Sequence, residues 1–147
     1  MSVKLADGET YTGCMRELSI ARLLAFSGGA LTSTGWPAKN LHTDPHKAAE
    51  AGLPAPIASG VQCEGDIIRL MTELFGNAWF AHGKLHVKYP RPVLAGMSVR
   101  ACARVRAREA RSEGSLIELD VWCETPDMAV VVVGSASCIK YDIEDSR

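Results

Sequence analysis

The spacing of hydrophobic and polar positions changes along this chain, from the three-to-four-residue period of helices in the first half to the alternation of strands in the second. Leu18, Leu23, Leu24 and Phe26, set against Arg16 and Arg22, predict a helix over 17–26 that Gly28-Gly29 stops. Residues 30–43 form a polar loop with Gly and Pro, longer than most connections in a compact domain, and loops of that length are usually functional or mobile. Asp44 followed by Pro45 marks a helix start, and the short helix finishes at Gly52. Pro54 and Pro56 then hold the chain extended. At Gly60 the principal helix begins and runs to Phe75. Val61, Ile67, Ile68, Leu70, Met71, Leu74 and Phe75 make much of its circumference apolar, and Gly76-Asn77 ends it. Such a helix needs other structure wrapped around it.

In the second half Leu85, Val87 and Tyr89 alternate with Lys84, His86 and Lys88. Val99, Ala101, Ala103, Val105 and Ala107 alternate with arginines at 100, 104, 106 and 108, and Ile117, Leu119 and Val121 alternate with Glu118 and Asp120. Residues 109–114 make a hairpin loop, Thr125-Pro126-Asp127 makes the next connection, and the apolar run Ala129–Ile139 reads as a central strand. The arginine face lies across from Glu118 and Asp120, which predicts cross-strand charge pairs worth about 0.2–1 kcal/mol each; a substrate phosphate is the alternative partner. Helices first, then consecutive antiparallel strands, define an α+β domain with a curved sheet around the 60–75 helix. Ala101, Ala103 and Ala107 on the inner face would let that helix sit close.

The totals narrow the possibilities. A chain of 147 residues is one domain, spanning 1–147, with enough material for a core. Hydrophobic residues at 47%, charged residues at 22% and a net charge of -1 describe a soluble globular protein with no electrostatic case for nucleic acid or an anionic membrane as partner. Five cysteines without C-x-x-C spacing point to reduced, mostly buried thiols in the cytoplasm, not to disulfides or a zinc site. Residues 1–10 carry no apolar signal region, and the longest apolar run, Met128 to Val133, is far short of the ~20 residues of a membrane span.

Candidate chemistry concentrates between residues 36 and 64. The run Asn40-Leu41-His42-Thr43-Asp44 sets an imidazole ahead of the short helix, and Ile57-Ala58-Ser59-Gly60 delivers a Ser-Gly pair to the start of the long one. An imidazole with an ordinary pKa of about 6.5 can hold or release a proton near neutrality. Opposite it, the amides around Ser59, Gly60 and Val61 can polarise a thioester carbonyl and stabilise the enolate formed from it. Gly60 would let a ligand approach the backbone, while Ser59 also reads as a simple helix cap. Capping suffices to explain Asp44, and His42 with His46 lacks a third ligand, so no metal site is expected. Glu64, one turn into an apolar helix, is costly to bury unless paired or at work, and is a candidate acid/base; exposure or an interface partner are the alternatives. Trp36 and Lys39 are candidates for shaping an acyl pocket or meeting a carboxylate-bearing acyl group.

From about Leu24 to Ala103 the chain resembles the MaoC-like branch of the hot-dog fold, which includes (R)-specific enoyl-CoA hydratases and related acyl dehydratases. The resemblance rests on Ser27-Gly28, on Asn40 to Asp44, on the helix Ala48 to Gly52, on Ile57 to Gly60, and on Tyr89-Pro90-Arg91-Pro92-Val93-Leu94-Ala95-Gly96. It implies a sheet wrapped around the Gly60 helix, at least a dimer, and a tunnel for the pantetheine arm of coenzyme A or acyl carrier protein. The family signature looks like Asp-x-Asn-Pro-x-His, and His42 matches its histidine. The Asp position falls on Pro37, with Lys39 and Asn40 at the Asn and Pro positions; anchoring on Ser27-Gly28 puts Gly29 there instead, with residues 30–38 inserted. Either way the carboxylate is lost.

The resemblance thus implies a lyase that adds or removes water across the Cα–Cβ bond of an enoyl or 3-hydroxyacyl thioester. His42 would be its acid/base and Ser59, Gly60 and Val61 its oxyanion donors, with no cofactor beyond the coenzyme A or carrier-protein substrate. Partners would be a second copy of the chain or another hot-dog chain. The lost carboxylate keeps three alternatives open. One is thioester hydrolysis with Glu64 directing water, since other hot-dog branches place a catalytic carboxylate on this helix. Another is a non-catalytic subunit beside a partner with the intact pair, and the third is a pocket that performs another elimination or cyclisation on a small metabolite. Tyr89 and Arg91 read as packing and surface charge, with a coenzyme A phosphate as the alternative for Arg91.

Overall fold

The computed structural model describes residues 3–141. Its elements follow in the order β1 Thr10–Thr12, β2 Arg16–Glu17, α1 Ile20–Ser27, α2 Pro45–Glu50, α3 Gly60–Phe75, α4 Ala78–His82, β3 Lys84–Lys88, β4 Ser98–Arg111, β5 Gly114–Glu124 and β6 Val130–Tyr141. The strands pair antiparallel in the order β1-β4-β5-β6-β3, with β2 added to β4 beside β1. The sheet curves around α3, which packs on β4, β5 and β6. Among the described residues no helix is long and apolar enough to cross a membrane.

α3 has the limits its sequence predicts. Cys63, Ile67, Leu70, Met71, Leu74 and Phe75 are buried along it, facing Val99, Ala101, Ala103, Leu119 and Val121 of the sheet. Full burial of side chains such as Ile67 and Met71 stabilises the fold by about 1.5–3 kcal/mol each. Gly76 closes the helix at φ 59°, a left-handed conformation that favours glycine. The predicted hairpin forms with a turn of only Ser112-Glu113, and so do the charge pairs: Arg106 reaches Glu118 at 3.3 Å and Asp120 at 3.4 Å, while Arg100 adds an unanticipated pair with Glu124 at 2.7 Å.

Four local readings need correction. The first helix starts at Ile20, not 17, because Ser19 accepts a hydrogen bond from the Arg22 amide while Arg16 and Glu17 pair with Val99 and Ser98. Arg16 is drawn to the sheet by Asp66, whose carboxylate accepts from Nε at 2.8 Å and from Nη2 at 2.7 Å. Ala107 is exposed and does not face α3, because Arg106 is an extra residue at a bulge that turns the following positions over. β6 is interior, but β5 is the middle strand. The short α4 was not anticipated; Trp79 anchors it, buried and stacked on Phe75 at 6.4 Å.

Where β6 passes β3 a glycine is required by space. A Cβ on Gly134 would lie 2.0 Å from the His86 carbonyl oxygen and 2.8 Å from the Val87 Cα. Gly134→Ala should therefore force β3 away from β6 and destabilise the protein by about 1–3 kcal/mol, read as a lower denaturant midpoint. An unchanged midpoint would show that the two strands are not so closely apposed.

Candidate active site

The site is built by three segments that meet at the amino end of α3. The loop carrying His42 is fixed by Asn40, whose Nδ2 donates to the Ser27 carbonyl at 2.9 Å and whose Oδ1 accepts from the His42 amide at 2.9 Å. Thr43 Oγ1 donates to the Ala38 carbonyl at 2.6 Å, and Asp44 caps α2 by accepting from the amides of His46 and Lys47. Those bonds, that of Lys47 foremost, hold the Asp44 carboxyl below its ordinary range. The second segment is the extended run kept straight by Pro54 and Pro56. It lies antiparallel to the third, with Ala58 N–H donating to Val93 O and Ala95 N–H donating to Pro56 O, both at 2.8 Å.

His42 Nδ1 lies 2.8 Å from the Ile57 carbonyl oxygen. A carbonyl only accepts, so in the neutral ring Nδ1 carries the proton and Nε2 keeps its lone pair. His42 shares a cleft of about 530 Å³ with Gly60, Val61, Cys63, Tyr89 and Arg91, whose remaining walls are largely apolar, including Ile57, Val93, Val131 and Val132. That volume suits a small acyl group with part of its carrier. At the helix start, Gln62 N–H turns back to Ser59 O at 2.9 Å, while the Ser59 side chain caps nothing. The Gly60 and Val61 amides belong to the first turn and lack intrahelical acceptors.

The structure thus brings His42, Gly60 and Val61 to one cavity. Ser59 stands directly before it at the N-cap. Glu64 is not on the cleft wall; it accepts from the Tyr89 hydroxyl at 2.7 Å. Trp36 and Lys39 do not line the cleft either: the Trp36 ring and Pro37 pack where a Cβ on Gly28 would be, each at 2.9 Å, and Lys39 is exposed. Among the described residues, no Asp or Glu lines the cavity. Tyr89 and Arg91, read from sequence as packing and surface charge, are instead part of the wall. The signal for Tyr89 was an acid one turn into an apolar helix that needed a partner.

Tyr89 also changes the reading of Gly60. A Cβ there would stand 2.7–2.8 Å from ring carbons of Tyr89, so the room that glycine leaves is taken by an aromatic ring. Tyr89 is 46% exposed, but desolvation of its phenol against the neighbouring structure, then the hydrogen bond to Glu64, pushes it up to about 12, and it stays protonated at neutral pH. Burial likewise pushes the Cys63 thiol up to about 11.

A curved antiparallel sheet around one long helix, with a cleft at the amino end of that helix, is the hot-dog architecture. Solved structures share it. The MaoC-like dehydratase from Rhodospirillum rubrum is 17% identical over 93% of this chain and 93% of its own, with a TM-score of 0.72. The (R)-hydratase from A. caviae involved in PHA biosynthesis is 20% identical over 92% of this chain and 96% of its own, with a TM-score of 0.69. The HadBC (3R-hydroxyacyl-ACP dehydratase) complex from Mycobacterium tuberculosis is 13% identical over 95% of this chain and 99% of the matched one, with a TM-score of 0.67. No curated protein matches the sequence. Residues 38–121 match the MaoC like domain, and the chain belongs to that family.

The thiols give a direct check on this geometry. Cys14 is exposed and the other four cysteines are buried. A thiol pushed to about 11 is roughly 0.1% thiolate at pH 8, so alkylation of the native protein should mark Cys14 rapidly and Cys63 only after denaturation, as read by peptide mass. Fast labelling of Cys63 would mean that the cleft is more open to water.

Proposed function

We propose that the protein is an acyl-thioester hydratase or dehydratase, acting across the Cα–Cβ bond of an enoyl or 3-hydroxyacyl thioester. The observation that carries this reading is the placement of His42 and the first amides of α3 on one apolar cleft, with Nδ1 held by Ile57 and Nε2 available. In hydration, Nε2 accepts a proton from water as the water oxygen bonds to Cβ. The Cα–Cβ π electrons shift to the thioester oxygen, where the Gly60 and Val61 N–H groups hold the enolate. The imidazolium then returns its proton to Cα, so water is added and nothing else is consumed. Dehydration is the reverse. No cofactor enters; coenzyme A or acyl carrier protein arrives as part of the substrate.

Arg91, exposed beside the cleft, is the cation we assign to the phosphates of the carrier. A second copy of the chain would add to the open side of β3, which among the described residues is bonded to β6 alone, and cover the exposed Val61 and Ile68. One observation favours a second reading: among the described residues the cavity has no carboxylate of its own, and one structural neighbour is the HadBC complex. The protein would then be a subunit that works beside a partner bearing that group.

Crotonyl-CoA tests these readings, through loss of its conjugated thioester absorbance. The purified chain should turn it over, and His42→Ala should lower the rate on the order of 100-fold or more. Turnover unaffected by that substitution would remove His42 from the mechanism, and turnover only with a co-purifying second hot-dog chain would favour the subunit. Arg91→Ala should raise KM several-fold with little change in kcat, as expected for uniform binding of a remote group.

A further inference from the structure

We propose that Tyr89 is the polar contact by which the cleft recognises an acyl group bearing a hydroxyl, and that Glu64 positions it for that task. This rests on the acyl-thioester reading above. Tyr89 lines the cleft with His42; Glu64 does not. The two are joined by a 2.7 Å hydrogen bond in which the phenol donates to Glu64 Oε2. A phenol has one proton to give, so with that proton committed to a carboxylate its oxygen meets a ligand as an acceptor only. The ring is seated against the start of α3, where Gly60 alone leaves it room. The neighbouring side chains Ile57, Val93, Val131 and Val132 are apolar. A hydroxyl on an acyl chain, or the water that becomes it, therefore finds its side-chain acceptors at Tyr89 Oη and His42 Nε2. A saturated acyl chain of the same length offers neither a donor.

Glu64 acts through Tyr89 and is a positioning residue, with a spectroscopic signature of its own. Partial desolvation first, then the bond and charge of Glu64, hold the phenol at about 12, with smaller contributions from Cys63 and Cys123. His42 and Arg91 are the other titratable groups on the same cavity wall. Replacing the carboxylate should move the phenol part of the way back toward the ordinary tyrosine value of about 10, because the desolvation remains.

The test measures binding of 3-hydroxybutyryl-CoA and butyryl-CoA by calorimetry to the full chain carrying His42→Ala, so that the hydroxy compound is not dehydrated. The unsubstituted protein binding butyryl-CoA serves as reference, and tyrosinate absorbance is titrated in the free proteins. The hydroxy compound should bind about tenfold more tightly, the range expected of one hydrogen bond backed by a charge. Adding Tyr89→Phe should erase that preference. Adding Glu64→Gln should remove most of the preference and lower the titration of Tyr89, a shift that a merely structural Glu64 would not produce. Equal affinities for the two thioesters before Tyr89 is changed, or a Tyr89 titration indifferent to Glu64→Gln, overturns the proposal and leaves the hydration reading standing. Failure of the unsubstituted protein to bind butyryl-CoA overturns that reading and the proposal with it.

Discussion

The peptide groups of Ile57 tie the two halves of the site together. Its N–H donates to the Leu41 carbonyl at 3.3 Å and its own carbonyl receives His42 Nδ1 at 2.8 Å. Three residues later the chain enters α3. The same short run is clamped on its other side by Val93 and Ala95. An imidazole on a loop and the amino end of a helix are thereby referred to one stretch of backbone. Rotation of the ring gives up a bond to a carbonyl that has little freedom to follow. Pro54 and Pro56 help before folding is complete, because they reduce the conformations the run must abandon.

How much of this was legible in the sequence depended on distance along the chain. α3 and the Asp44 cap were legible because their signals are local: an apolar period, a capping side chain, a proline and a terminal glycine. The alternation of β3, β4 and β5 was legible for the same reason, up to the bulge at Arg106. What escaped was fixed by remote partners. Arg16 meets an aspartate 50 positions away and the strand it forms with Glu17 takes the start of the predicted helix, and α4 exists because Trp79 has Phe75 to pack on. In the site, His42, Gly60 and Val61 were recoverable from motif and helix start. The loop residues Trp36 and Lys39 were drawn in by proximity in sequence, yet packing against Gly28 turns Trp36 elsewhere and leaves Lys39 in solvent.

The acidic groups near the cleft each have a local commitment. Asp44 holds the start of α2, Asp66 holds Arg16, and Glu64 holds the Tyr89 phenol. The cavity is left with an imidazole, a phenol, a guanidinium, a buried thiol and hydrophobic walls. A neutral imidazole is tolerated in such surroundings far better than an isolated carboxylate would be.

The seating of the Tyr89 ring over Gly60 reaches beyond mechanism, into how this sequence can drift. Any side chain at position 60 evicts the ring, whereas a smaller residue at 89 opens the helix start to solvent and strands Glu64. The two positions share one volume, so a change of size at either is felt at the other.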